Sequence, residues 1–435
     1  MTAAVLISWR HSVSRLLWVF GLAMGILAVY RLQIAETNAY MGYVLFPLDA
    51  GYAFAILLSL LLVSVVISIR IDKPSDFFRL LYSLFVLLPY VVLHGIRGEI
   101  VLSRYFMDLA VLVLPVLLLA ISSPLVPAIR MPGVLKQGQV LWILLWLCLL
   151  GLLYALYKAP ASAGFGLADV YTRRLEGRDI FPDRSFFAYL NMAIVNGFAP
   201  LLAFMGGWLG RWRYFMFALL CAVAYYYVIG LKLPVVFVLL SFLLGYAGRR
   251  GRLRDIGMLI CGLLLALFLV FLFEYLIFGF SYVGDYFFRR AYGVSAFMMA
   301  VYFDFVSASG ASMGWSMLNG IEASQPVSFV IGEQVLGDPG LNANTNSLLH
   351  ALADGGVLAY AATVLLVIVV FLILDSAYKS KGNPVLLYLG FLYAILLTEQ
   401  AATIALISSG VGVLILLFLF ARATSSAMAT RQLSY

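Results

Sequence analysis

The chain has 435 residues, of which 64% are hydrophobic and only 11% charged. A soluble domain has about half apolar and a quarter charged residues, so this composition excludes an ordinary soluble fold. The net charge of +8 is spread over a chain with no appended polar domain. We therefore predict an all-α polytopic membrane protein that forms a single membrane domain over residues 1–435.

Apolar runs long enough to cross a bilayer, roughly 20 residues each, predict about twelve transmembrane helices. They lie at residues 13–30, 50–69, 77–95, 107–123, 139–157, 189–210, 214–229, 233–248, 256–279, 356–376, 384–397 and 402–421. The connections at 230–234 and 398–401 are so short that either pair could instead be a broken or re-entrant helix. The first run lacks a small-residue cleavage site, which predicts an uncleaved span rather than a signal peptide.

Basic residues set the expected orientation of these spans. With both termini in the cytoplasm, the alternation of spans leaves 17 of the 28 Lys and Arg residues on the cytoplasmic side, including the cluster at 249–254. Two long loops, at residues 158–188 and 280–356, then face the outer side. In the second loop, the aromatic and Met-rich stretch at 291–305 predicts a helix at the membrane interface.

Both outer loops carry arginines where the orientation rule discourages them. These are Arg173, Arg174 and Arg178 in the first loop and Arg289 and Arg290 in the second. Guanidinium groups bind phosphate oxygens in pairs and stay charged, so we expect Arg173, Arg174, Arg289 and Arg290 to line a cavity for a diphosphate-like anion. The alternative is a solvated surface on which the acidic residues of the first loop neutralise the arginines.

Other polar residues lie beside the arginines or at the ends of apolar runs. Tyr171 and Tyr286 suit a sugar, but tyrosines suit a membrane interface equally well. A cluster of amide and hydroxyl groups precedes the span at 356–376, and it contains more than a helix cap needs: Asn342, Asn344, Thr345 and Asn346. Lys232 and Glu399 occupy the two short connections as further site candidates, unless they only reach the membrane surface.

Several classes of site have no signature in the sequence. Neither a GxxxxGK[ST] loop nor a Rossmann glycine pattern occurs, which disfavours ATP-driven transport. Cys148, Cys221 and Cys261 lie in apolar runs without metal-ligand spacing. We therefore expect no cofactor and no metal site, and the sequence points to membrane lipids rather than nucleic acid as partner.

Four motifs from the fifth span onward resemble the Wzy family of O-antigen polymerases. They are Tyr171-x-Arg-Arg174, Gly284-Asp-Tyr-Phe-Phe-Arg-Arg290, Asn342-Ala-Asn-x-Asn346, and Glu399-Gln400 followed by Ser409-Gly-Val-Gly412. O-antigen ligases have a related pattern in which a histidine occupies the place of Thr345, which favours a polymerase. The arginine-to-glycine spacing described for some members does not occur after Arg173, Arg289 or Arg290, so the resemblance rests on the local matches.

The resemblance implies a GT-C-like fold in the bacterial inner membrane. It implies that undecaprenyl-diphosphate-linked oligosaccharide repeat units are joined at the periplasmic face, with a chain-length regulator protein as an expected partner. The residues that would then be catalytic are Arg173, Arg174, Arg289, Arg290 and Glu399. Tyr171, Arg178, Lys232, Tyr286 and the residues of the 342–346 cluster would bind substrate. Glu399, Asp285 and Asp304 remain open as the base, and an O-antigen ligase or an oligosaccharide flippase are the alternative functions.

Overall fold

The computed structural model describes residues 2–98, 100–166, 173, 176–177, 180–181, 185–309, 325–338 and 340–422, with side chains from residue 13 onward. Among these residues the regular elements are helices, apart from a single β-bridge between Leu135 and Ala421. In chain order the helices are α1 (Val13–Thr37), α2 (Ala50–Val66), α3 (Pro74–Arg97), α4 (Leu102–Leu125), α5 (Gln137–Tyr157), α6 (Phe186–Leu209), α7 (Trp212–Ile229), α8 (Leu233–Arg249), α9 (Leu253–Phe278), α10 (Gly284–Ala308), α11 (Val327–Gln334), α12 (Ser347–Lys381), α13 (Pro384–Leu397), α14 (Ala402–Leu406) and α15 (Val411–Leu419).

The all-helical membrane fold is confirmed, and eleven of the predicted spans coincide with apolar helices. Nine helices of the described chain are long and apolar enough to cross a membrane, and α2, α8 and α13 are shorter apolar helices. The predicted span at 402–421 is not one helix, because the chain breaks between α14 and α15 and passes through Gly410 with a positive φ of 72°. The predicted loop at 280–356 contains α10, which includes the expected helix at 291–305.

Polar contacts place the helix ends in two groups. At the first, Arg254 pairs with Asp72, the N–H of Ser75 donates to Asp375, and Lys381 donates to the carbonyl of Ala421. This end also holds Arg249, whose guanidinium lies against Gly210. We call it the basic end. The opposite end, where α1, α3, α5 and α9 finish, is the loop end, because both long predicted loops leave from it.

Helix α10 has both of its ends at the loop end. Just before α10, Ser281 exchanges two hydrogen bonds with Gln33 near the end of α1, at 2.7 and 2.9 Å. Near the other end of α10, Asp304 forms ion pairs with Arg97 and Arg104, which flank the connection between α3 and α4. Helix α10 therefore runs across the loop end of the bundle, although its length and composition would also permit a crossing.

Helices α6 and α8 are in direct backbone contact through glycines. A Cβ atom on Gly245 would lie 2.1 Å from the carbonyl oxygen of Phe204, and one on Gly207 would lie 2.3 Å from that of Phe242. Small residues permit this close approach between helices in a membrane. The packing of α6 on α8 therefore depends on the absence of side chains at these two positions.

Replacing Gly245 by Ala should destabilise the protein by about 1–3 kcal/mol, the usual cost of overpacking a tight interface. A fall in the thermal unfolding midpoint of the purified protein in detergent would measure it. Gly262→Ala is the matched control, since a Cβ there meets only Trp18, at 3.8 Å. Equal midpoints for the two variants would contradict the close-contact explanation.

Candidate functional site

A polar cavity of about 230 Å³ opens at the loop end between α3, α4 and α10. Its volume equals that of about seven or eight waters at liquid density, which suits one small polar group rather than a chain of sugars. Five of its lining residues can carry charge. The lining consists of His94, Arg97, Val101, Arg104, Asp108, Ala300, Phe303 and Asp304.

The charged groups of the cavity form a connected network. Nη2 of Arg104 lies 2.6 Å from Oδ1 of Asp304, and Nη1 of Arg97 lies 3.0 Å from Oδ2 of the same carboxylate. Nε of Arg104 lies 3.6 Å from Oδ2 of Asp108, which is an ion-pair distance but too long for a hydrogen bond. Asp304 is thus held by two guanidinium groups and Asp108 by one loose contact.

The rings of His94 and Phe303 line the cavity, and further aromatic rings pack against them or against Arg97 outside the lining. The ring of His94 meets those of Tyr90 and Tyr105 edge-on, with centroids 5.2 and 5.1 Å apart. The guanidinium of Arg97 lies over the ring of Phe297 at 5.8 Å. A sugar ring has apolar C–H faces and polar hydroxyl groups. Flat apolar rings can contact the former, and charged hydrogen-bonding groups can contact the latter.

Arg289 and Arg290 lie on α10 at the end away from the cavity. Nε of Arg289 donates to Oδ1 of Asp285 at 2.8 Å, and the Arg289 side chain is half-buried. Arg290 and Tyr286 are both exposed, and the ring of Tyr286 stacks on that of Tyr282 with centroids 6.4 Å apart. Arg290, one helical turn beyond Tyr286, is therefore the arginine of this pair that a ligand can reach.

The predicted amide cluster divides into a structural half and an exposed half. Oδ1 of Asn346 accepts from the N–H groups of Leu348 and Leu349, so this residue caps α12. Thr345 is also buried, whereas Asn342 and Asn344 are exposed. The hydroxyl of Tyr302 donates to the Ala343 carbonyl at 2.8 Å, which fixes the cluster to α10 next to the cavity residues Phe303 and Asp304.

Arg173 contacts the end of α7 and the segment that follows α5. It is fully buried, donates to the carbonyl of Gly166 and lies over the ring of Tyr226 at 5.4 Å. Its Nε and Nη1 have no hydrogen-bond partner in the part of the chain that the structure describes. The contacts of Arg173 and those of Arg289 share no residue, and a cavity lined jointly by the two stays a prediction. Tyr171, Arg174 and Arg178 lie outside the described residues.

Glu399 and Lys232 are both exposed in the short connections at the loop end. Desolvation by the surrounding protein raises the pKa of the Glu399 carboxyl above its ordinary value. Beside it, the side-chain amides of Gln400 and Asn196 both donate to the Ser409 hydroxyl, at 3.0 and 3.3 Å. Glu399 is not among the residues that line the cavity between α3, α4 and α10.

The sequence motifs did not indicate Arg97, Arg104 or Asp108 as site residues. The sequence did contain a signal for Arg104 and Asp108. They are four residues apart on one face of a helix in an otherwise apolar stretch, where a charged residue is energetically unfavourable. Asp304 was considered only as a possible base. Its distance of 200 residues from Arg104 along the chain concealed their pairing.

No family model matches this chain, and no curated protein or solved structure matches it either.

Proposed function

We propose that this protein is a glycosyltransferase that polymerises oligosaccharide repeat units carried on undecaprenyl diphosphate, as an O-antigen polymerase does. The observation that supports the proposal most is the grouping at the loop end. There α10 carries exposed Arg290, a cavity of charged and aromatic residues, and the contact with the 342–346 cluster. A lipid-linked sugar phosphate needs these features together at one membrane face.

The proposed reaction transfers negative charge to its leaving group. A sugar hydroxyl displaces a polyprenyl diphosphate from the anomeric carbon, so negative charge grows on the departing diphosphate. Guanidinium groups aimed at that charge lower the barrier because they stabilise the transition state more than the ground state. Arg97 and Arg104 in the cavity and buried Arg173 with its unused donors are described arginines at this end that suit such a role, and exposed Arg290 suits the second diphosphate, that of the acceptor.

Deletion of the gene in its host tests this function against the alternatives. We expect long O-antigen chains to disappear from an electrophoretic gel while lipid A-core capped by a single repeat unit remains. Complete loss of O-antigen from lipid A-core would instead indicate a ligase. Accumulation of lipid-linked units at the cytoplasmic face would indicate a flippase, and either of these results would overturn the proposal.

A further inference from the structure

The two carboxylates of the cavity have different surroundings, and pairs of this kind take different roles in catalysis. Asp304 receives two short charge-assisted contacts, from Arg97 and Arg104. Such contacts are strong and fix both geometry and charge. Asp304 is therefore suited to hold the two guanidinium groups in place, since each of its oxygens already faces one of them.

Asp108 has the freer carboxyl. Its Oδ2 has no hydrogen-bond partner among the described residues, and neither has the facing Nε of Arg104. A buried polar atom without a partner is costly and calls for an explanation such as a missing ligand. Asp108 also lines the cavity, with 13% of its side chain exposed. It can thus accept a proton from a group that enters.

We propose that the cavity between α3, α4 and α10 binds the terminal sugar of the acceptor and that Asp108 is the general base for its attacking hydroxyl. This inference rests on the proposed function. The hydroxyl oxygen forms a bond to the anomeric carbon of the donor while its proton passes to Asp108. The bond from that carbon to the diphosphate oxygen breaks, and the electron pair leaves with the diphosphate. Asp108 then returns the proton to water.

The position of Arg290 fits the same substrate. Arg290 and Asp304 are on one continuous helix, 14 positions apart, which corresponds to roughly 20 Å of helical rise. The acceptor carries its own lipid diphosphate at the far end of its repeat unit. With its terminal sugar in the cavity, a short oligosaccharide lying along α10 would bring that diphosphate toward Arg290. The rings of His94 and Phe303, which line the cavity, would then contact only the terminal sugar.

The test uses the purified full-length protein and the undecaprenyl-diphosphate-linked repeat unit that accumulates in a deletion strain. Asp108→Asn keeps the size of the side chain and removes its basicity. We expect the rate of chain extension to fall by about 100-fold or more, since a general base contributes typically 10²–10⁴-fold. The Michaelis constant for the repeat unit should change little. Asp304→Asn should mainly raise that constant, because it releases the two arginines.

Asp72→Asn is the matched control, since Asp72 pairs with Arg254 at the opposite end of the bundle. Asp108→Glu should retain part of the rate, and its loss of activity toward low pH should occur at a different pH from that of the wild type. The groups around Asp108 that this pH comparison must consider are Tyr90, His94, Arg97, Arg104, Tyr105 and Asp304.

The outcomes separate this inference from the function on which it rests. If the wild-type protein does not extend the repeat unit, the proposed function is wrong. If the wild type is active and a soluble, monodisperse Asp108→Asn variant is equally fast, the assignment of Asp108 is wrong. Should Asp108→Asn fail to fold, an Asp108→Glu variant with the rate and pH profile of the wild type would contradict the assignment in its place.

Discussion

Replacing Arg290 by Ala is expected to lower chain extension about 10- to 100-fold, the effect of losing a charge-assisted hydrogen bond to a ligand. The guanidinium of Arg290 is exposed on α10, unlike that of Arg289, which Asp285 engages. The substitution should leave the fold intact for the same reason. Gel analysis of O-antigen length in a complemented deletion strain measures the effect.

Arg250→Ala is a close control for Arg290→Ala. Arg250 is also exposed and follows a tyrosine, Tyr246, by one helical turn, with its guanidinium 5.1 Å from that ring. It lies at the basic end, where the proposed function places no substrate diphosphate. Normal long chains in the Arg290→Ala strain, or equal losses in both strains, would contradict a role of Arg290 in substrate binding.

Replacing Asp375 by Ala should reduce the stability of the bundle by on the order of 3 kcal/mol or more, because each stranded buried donor costs about 1–3 kcal/mol. The carboxylate of Asp375 is fully buried. It accepts from the N–H and hydroxyl of Ser75 at 2.9 and 2.7 Å and from the hydroxyl of Ser123 at 2.5 Å. These contacts join α12 to α3 and to the end of α4.

Thermal unfolding in detergent and the amount of protein in the membrane measure the effect of Asp375→Ala. Asp72→Ala removes a carboxylate at the same end of the bundle, where both partners of the ion pair with Arg254 are more than half exposed. An exposed pair contributes little, so this variant should unfold at nearly the wild-type temperature. Equal midpoints for Asp375→Ala and wild type would show that the buried network is not a major source of stability.

Hydropathy located most of the helices because spanning a membrane is a local requirement on length and composition. It did not detect the break between α14 and α15, because only the four residues Ile407 to Gly410 separate two apolar helices. That break is made by the backbone at Gly410, and hydropathy does not record backbone conformation. The sequence also predicted a helix at 291–305 but not its extension back to Gly284.

The sequence by itself determined that this is a membrane protein of apolar helices with its unusual charges in a few segments, since placing a charge in hydrocarbon is costly wherever it occurs. It named Arg289, Arg290 and Asp304 as residues of interest. Only the tertiary structure decided that Asp304 joins Arg97 and Arg104 in one cavity with Asp108. Those contacts depend on how α3, α4 and α10 pack, and helices far apart in the chain meet through side-chain shape that no local pattern encodes.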